Sequence, residues 1–206
     1  MLDIYDNIFQ SERSVEIAFY EEKLKYLSEN NPNLKVLDIG GIPSNRSHFS
    51  KIYNLINERK IIYKIADFRG GDYIGDFVSL KIEEAFDVCV FLSSLEHFPQ
   101  CTEGDKLYRD NEDAKGYAKA LSLLNDNGVI LLTVPFGFHT WQEYHQNYNY
   151  EGIIKLTKGS SIIEQYVFVL KDNKWYIEKD LETTKNIRYT DQCYCVGCFM
   201  LRKDSH

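Results

Sequence analysis

Lys35-Val36-Leu37-Asp38-Ile39-Gly40-Gly41 reads as a short apolar strand running into a pair of glycines. A strand, a glycine turn and then a helix is how doubly wound folds hold nucleotides. Glycine lets the backbone approach a ligand closely, and the turn sits at the carboxyl edge of the sheet. Glycine pairs after strands also serve as plain turns, so the flanking sequence has to decide.

Upstream, residues 14–28 place Ile17, Tyr20, Leu24 and Leu27 at helical spacing, an amphipathic pattern, and Asn30-Asn31-Pro32-Asn33 breaks it. Downstream, Ser44 is a good N-cap for a second helix. Residues 61–66 read as a second strand ending at Asp67, residues 73–77 as a short third, and residues 86–92 as a fourth, apolar enough to be buried on both faces. The polar stretch 99–112 reads as a long loop of the kind that serves as a lid. From Asp113, Ala114, Tyr117, Leu121 and Leu124 line a helical face; Asn125-Asp126-Asn127-Gly128 stops it, and residues 129–134 form a fifth strand. Alternating strand and helix is the signature of a parallel sheet covered on both faces.

The last third changes character. Residues 163–170 and 175–179 flank Lys171-Asp172-Asn173-Lys174 as a hairpin, and a final strand spans 193–201. The expected fold is therefore α/β: a doubly wound, mostly parallel, Rossmann-like sheet with an antiparallel C-terminal hairpin. The 206 residues make one domain. Within it, 1–34 is an N-terminal helical cap, 35–137 a ligand-binding core, and 138–206 an acceptor-side loop with the C-terminal strands.

Composition narrows the function. Hydrophobic residues make up 44%, a globular value, and 31 acidic against 24 basic residues leave a net charge of −7. With no dense Lys/Arg run, nucleic acid is not an expected partner. The polar, acidic residues 1–10 do not resemble a secretory leader, and the most apolar run, 129–138, is too short to span a bilayer. Five cysteines without framework spacing fit a reducing compartment, so the expected location is cytoplasmic. The hairpin is a candidate homodimer surface, since exposed strands tend to find partners.

Three carboxylates fall at strand ends: Asp38, Asp67 and Asp76. A carboxylate ending the second strand can accept both hydroxyl hydrogens of a ribose. Asp76 is placed to accept from an adenine amino group, with Phe77 packing on the ring. Taken singly, such residues more often cap helices or make turns; the ordered set points to a nucleotide-like ligand.

The resemblance then becomes specific. The opening heptapeptide resembles the first motif of class I S-adenosylmethionine-dependent methyltransferases. Ala66-Asp67-Phe68-Arg69 and Ile74-Gly75-Asp76-Phe77 resemble their ribose and adenine segments. Phe86-Asp87-Val88-Cys89-Val90 with Ser93-Ser94-Leu95-Glu96-His97 resembles their fourth strand and the turn beside the methyl group, and Gly128 to Gly137 their fifth strand. Ser-Ser-Leu-Glu-His paired with Thr-Val-Pro-Phe-Gly is similar to bacterial methyltransferases encoded among cell-surface polysaccharide genes. The resemblance covers about residues 35–150. It implies S-adenosylmethionine as cofactor and S-adenosylhomocysteine as product, held by Asp38, Gly40, Gly41, Asp67, Phe68, Asp76, Phe77 and Ser93. One departure is that Ile42-Pro43-Ser44-Asn45 stands where many members carry a third glycine, with Pro43 stiffening the loop. The same loop lacks the G-x-G-x-x-G of nicotinamide enzymes.

The implied reaction is an in-line displacement at the sulfonium methyl, with proton removal when the acceptor is a hydroxyl. His97 follows the fourth strand and is the first candidate base, because an imidazole titrates near neutral pH. Its competing role is to fasten the following loop. Glu96 is an equal candidate, or the group that orients His97. Past the fifth strand, His139, Trp141, Tyr144 and His145 are candidates to wall the acceptor pocket, His139 also as a catalytic group; an exposed loop with aromatic anchors is the alternative. No metal is expected. His139, Glu143 and His145 match no zinc spacing, and Cys193, Cys195 and Cys198 read as buried small hydrophobes, the first two facing opposite to the third. Arg13 and Glu16 open the first helix, where surface solvation is the ordinary fate of such charges.

The expected acceptor is a small molecule, a hydroxyl of a sugar or sugar-phosphate precursor of a cell-surface polysaccharide. N-methylation, or methylation of a phosphate-bearing acceptor, is the close alternative, and a non-catalytic cofactor-binding module the distant one.

Overall fold

Apolar strands buried on both faces can only lie at the centre of a sheet covered twice, and four strands here have that character. The computed structural model describes residues 11–41, 49–98, 110–142, 145–188 and 194–204, with backbone only at 141 and 142. Strands β1 (Lys35–Ile39), β2 (Ile62–Asp67), β3 (Tyr73–Ile74), β4 (Phe86–Leu92) and β5 (Leu124–Phe136) run parallel in the order β3-β2-β1-β4-β5. Strand order therefore reverses between β1 and β4. In open α/β sheets the crevice outside the carboxyl ends at such a point is the ligand site.

Beyond β5 the sheet turns antiparallel. A short ladder of β6 (Thr140–Gln142) and β7 (His145–Asn147) comes first in sequence and stands apart. Next come β8 (Ser160–Lys171), β9 (Lys174–Glu178) and β10 (Cys195–Lys203). The chain's last strand, β10, inserts between β5 and β8, leaving β9 at the edge.

Alternation along the strands divides the core. Val88 and Val90 of β4 face Val15, Phe19 and Leu24 of α1 (Arg13–Asn30) and Ile52 of α2 (Ser50–Arg59). Cys89 and Phe91 face the other way, toward Tyr117 and Ala120 of α3 (Glu112–Ser122) and Ile153 of α4 (Tyr150–Leu156). A last short helix, α5 (Leu181–Thr184), precedes β10. Cys195 and Cys198 are buried on opposite faces, as strand alternation requires. Among the described residues, no helix is long and apolar enough to cross a membrane.

Several expectations need correction. The third strand stops at Ile74 rather than 77, because Gly75 takes φ +140° and the Asp76 carboxylate folds the chain into a turn by accepting Val78 N–H and Ser79 Oγ–H. Leu124 belongs to β5, opposite Phe86, and not to the helix. Residues 125–128 form an outward loop within the strand, so that the next paired residues are Val88 and Val129. Asn127 at φ +62° makes that excursion possible. The first helix is not a one-sided amphipathic element: Ser14 to Tyr20 are all buried. The second helix begins at Ser50 among the described residues, while Pro43 and Ser44 lie outside them, as do residues 99–109 of the expected lid.

Residues 75–85, between β3 and β4, form no helix. Lys119 of α3 covers for one: its ammonium donates to the carbonyls of Val78 and Leu80 and lies 5.1 Å from the centre of the Phe77 ring.

Candidate active site

The crevice at the strand reversal is tied across its floor. Gly40 (φ +79°) donates its N–H to Ala66 O at 2.8 Å, and Ser94 Oγ donates to Ile39 O at 2.6 Å. The β1 and β4 ends approach so closely that a Cβ on Gly40 would lie 2.5 Å from Ser94 Cβ, so glycine is required there by both dihedral and space. A Cβ on Gly41 would lie 2.6 Å from the Asp38 carboxyl carbon. The glycine pair is thus shaped around the carboxylate beneath it.

Asp38 is 6% exposed. Its Oδ2 accepts from the Tyr63 hydroxyl, while Oδ1 has no hydrogen-bond partner among the described residues. Burial pushes its pKa up to about 6, against the Tyr63 hydrogen bond and the charge of Arg13, and nearby Asp67 pushes the same way. Asp67, at the β2 end, is half-buried and uses Oδ1 to accept the N–H of Arg69. Asp76 is half-buried in its turn. Phe68, beside Asp67, is 44% exposed, whereas Phe77 is 4% exposed, with its ring edge-on to Phe91 and Phe98. Phe77 is therefore a core residue, and Phe68 is the exposed aromatic next to the β2 carboxylate.

At the end of β4, Ser93 sits at φ +44°, a conformation costly for a residue with a side chain. Its surroundings hold it there. Its N–H donates to Thr133 O and Oγ1, and its hydroxyl donates to Glu16 Oε1, which also accepts from Thr133 Oγ1 at 2.8 Å. Glu16 Oε2 pairs with Arg13 Nη1 at 3.0 Å, and that nitrogen also reaches Leu92 O at 3.1 Å. Glu16 is fully buried, and burial raises its pKa in spite of Arg13. These two charges clamp the first helix onto the ends of β4 and β5, a role that sequence spacing concealed behind their ordinary surface fate. The one available signal was that both precede the apolar run of α1 by less than one turn.

Past Ser93, a 3₁₀ turn (Leu95–His97) turns Glu96 inward and leaves His97 half-exposed. Glu96 is 2% exposed, its Oε2 has no partner among the described residues, and burial pushes its pKa up to about 8. Oε1 lies 3.9 Å from His97 Nε2, and the His97 ring centre is 6.2 Å from that of His145 on β7. Burial, then the charge of His97, lowers the pKa of His145. Together with Glu12, Arg13, Ser93, Pro135 and the Tyr194-Cys195-Val196 segment, these side chains line a cleft of about 100 Å³.

The structure thus brings together His97, Glu96, His145 and Ser93, and separates His139 from them. His139 is exposed, 3.4 Å from Gln146 Nε2 and stacked obliquely on Tyr148, and it does not line the cleft. Trp141 lies on β6 opposite Gln146, its side chain outside the described residues, as is Tyr144 altogether.

No protein-family model matches the chain, and no curated protein matches it in sequence. Solved structures match it in shape. A candidate methyltransferase of Bacillus halodurans C-125 is 15% identical with a TM-score of 0.55, covering 90% of this chain and 99% of its own. The 1,6-didemethyltoxoflavin-N1-methyltransferase of Burkholderia thailandensis, solved with 1,6-didemethyltoxoflavin and S-adenosylhomocysteine, is 12% identical with a TM-score of 0.53, covering 91% and 79%. The cyclase SpnF is 10% identical with a TM-score of 0.52, covering 97% and 86%. One architecture here carries more than one chemistry, so at such identities the likeness speaks for the fold. The chain has the Rossmann-like fold of class I methyltransferases, with its antiparallel strands at the C-terminal end.

Proposed function

We propose that this chain transfers the methyl group of S-adenosylmethionine to a small-molecule acceptor. The observation that carries the reading is the pair of carboxylates at the ends of β1 and β2, beside the strand reversal, one of them with a buried oxygen left over for a ligand. The residues fit the cofactor. Asp38 and the Gly40-Gly41 turn would receive its amino-acid end, Asp67 its ribose hydroxyls, and Asp76 with the accessible ring of Phe68 its adenine. When bound, the cofactor supplies a methyl group on a sulfonium, activated for in-line displacement.

The neighbouring cleft would hold the acceptor. His97 Nε2 is the candidate to take the acceptor's proton, and Glu96, protonated near neutral pH, lies 3.9 Å from it as the second proton-bearing group. On the first reading the acceptor is a hydroxyl of a sugar or sugar phosphate for a cell-surface polysaccharide, supported by the likeness of the Ser93–His97 and Thr133–Gly137 peptides. The second reading, an amine acceptor, is favoured by the acidic Glu12 at the cleft, whose nearest cation, Arg13, is already paired with Glu16. His97→Ala separates them. A hydroxyl acceptor should lose about a hundredfold in rate, whereas an amine delivered unprotonated should lose little.

The deciding experiment is calorimetric titration with S-adenosylhomocysteine. We expect one-site binding, weakened at least about tenfold by Asp67→Ala, the loss of a charged hydrogen bond. No binding by folded protein at millimolar ligand would end the assignment. Binding without transfer to any acceptor would leave a cofactor-binding module.

A further inference from the structure

We infer that β9 is a homodimer seam, in which two copies pair their β9 strands antiparallel about a two-fold axis through Tyr176. Among the described residues β9 pairs on one side only, with β8, and ends the sheet. Its sequence is Lys174-Trp175-Tyr176-Ile177-Glu178.

The backbone decides which groups are on offer. Asp172 (φ +51°) and Asn173 (φ +60°) form the two-residue turn of the β8–β9 hairpin, so Lys171 and Lys174 are a hydrogen-bonded pair. Alternation then makes Val169 with Tyr176 the next such pair. Leu170 with Trp175 is a non-bonded pair, and accordingly Leu170 donates its N–H away from β9, to Tyr194 O. The N–H and C=O groups of Trp175 and Ile177 therefore point outward from the sheet.

A two-fold axis at Tyr176 sets Trp175 of one copy opposite Ile177 of the other. Those are the two residues with outward groups, so each pair exchanges two hydrogen bonds. The side chains match as well. Trp175 meets Ile177 on one face, and Tyr176 meets its own copy on the other, an aromatic–aliphatic and an aromatic–aromatic pairing of the stabilising kind. Lys174 falls opposite Glu178, and the reciprocal pair repeats it at the other end. Tyr176 and Ile177, 51% and 48% exposed, would be covered. Self-complementarity in charge, apolar surface and hydrogen bonding at one register is what an isologous interface needs, and it selects a second copy over an unrelated strand.

The test is sedimentation velocity on the full chain, from micromolar to near-millimolar protein. We expect a dimer with a micromolar dissociation constant. Lys174→Glu, which relieves the like-charge pair with Lys171 inside each copy, should nevertheless weaken the dimer about tenfold, because it sets the introduced carboxylate against Glu178 twice. Adding Glu178→Lys should restore it. Ile177→Pro removes an outward N–H that β8 does not use, so it should abolish the dimer while the far-ultraviolet dichroism and melting temperature of the copy are kept. Tyr176→Pro, which removes an inward N–H, should damage the hairpin itself. A monomer throughout the range, or a dimer indifferent to Ile177→Pro, overturns the inference.

Discussion

The two halves of the sheet treat charge differently. In the parallel half, Asp38, Glu16 and Glu96 are buried at the strand ends, two of them with an oxygen unpartnered among the described residues, and Ser93 is held at a costly dihedral. In the antiparallel half, the comparable buried charge is Lys23 of α1, which meets Glu164 of β8 at 2.6 Å and Glu22 at 2.8 Å, over the rings of Phe19 and Tyr166. One half leaves buried carboxylate oxygens unsatisfied where a ligand would complete them; the other closes its charges with its own side chains, its exception being the neutral Trp175 Nε1, buried without a partner among the described residues. Locally unfavourable features gathered at one edge of an otherwise consistent fold mark that edge as functional.

The largest test of this contrast is the removal of one carboxylate from each half. Glu16→Ala should cost about 3–5 kcal/mol in urea unfolding, because it strands the Arg13 cation and the hydroxyls of Ser93 and Thr133 in the interior. Glu164→Ala should cost about 1 kcal/mol or less, since that carboxylate is one-third exposed and Lys23 keeps Glu22. Equal losses would dissolve the distinction.

Next in size is the pair of phenylalanines flanking the second acidic segment. Phe77→Ala should cost about 3 kcal/mol as a core deletion. Phe68→Ala should change stability by less than about 0.5 kcal/mol while weakening S-adenosylhomocysteine binding.

The third test uses pH. Glu96 ionises near its ordinary value in the unfolded chain but only at about 8 when folded, so between those values the native state holds the extra proton and stability falls as pH rises. From pH 6 to 8 the loss should be about 2 kcal/mol. Asp38, raised only to about 6, adds its loss mainly below that window. Glu96→Gln should flatten the decline in melting temperature over that interval. An unchanged slope would mean that Glu96 ionises freely in the folded protein.

Much of the fold was legible because periodicity is a local signal. The limits of β4 were readable to the residue, and the hairpin nearly so, since apolar runs and turn residues are written in sequence order. What was illegible depended on distance in space. Leu124 satisfies the helical pattern of α3 and the strand pattern of β5 equally well, and only its pairing with Phe86 decides. Phe77 and Phe68 are chemically alike, and their opposite fates follow from a turn made by Asp76. Arg13 and Glu16 look solvated because their partners, Leu92, Ser93 and Thr133, lie more than seventy residues away in the chain.

The helix-less connection between β3 and β4 has a mechanical consequence. The stretch carrying Asp76 is tied on both sides: Gly75 donates its N–H to Asp67 O at 3.1 Å, on β2, and Lys119 moors it to α3 through the carbonyls of Val78 and Leu80. On the proposed function, the adenine end of the crevice is slung between two elements: a sideways displacement of α3 pulls on Val78 and Leu80, while Gly75 holds the near side of Asp76 to the ribose end on β2. One lysine and one backbone hydrogen bond would thus make the two ends of the proposed site respond together to that helix.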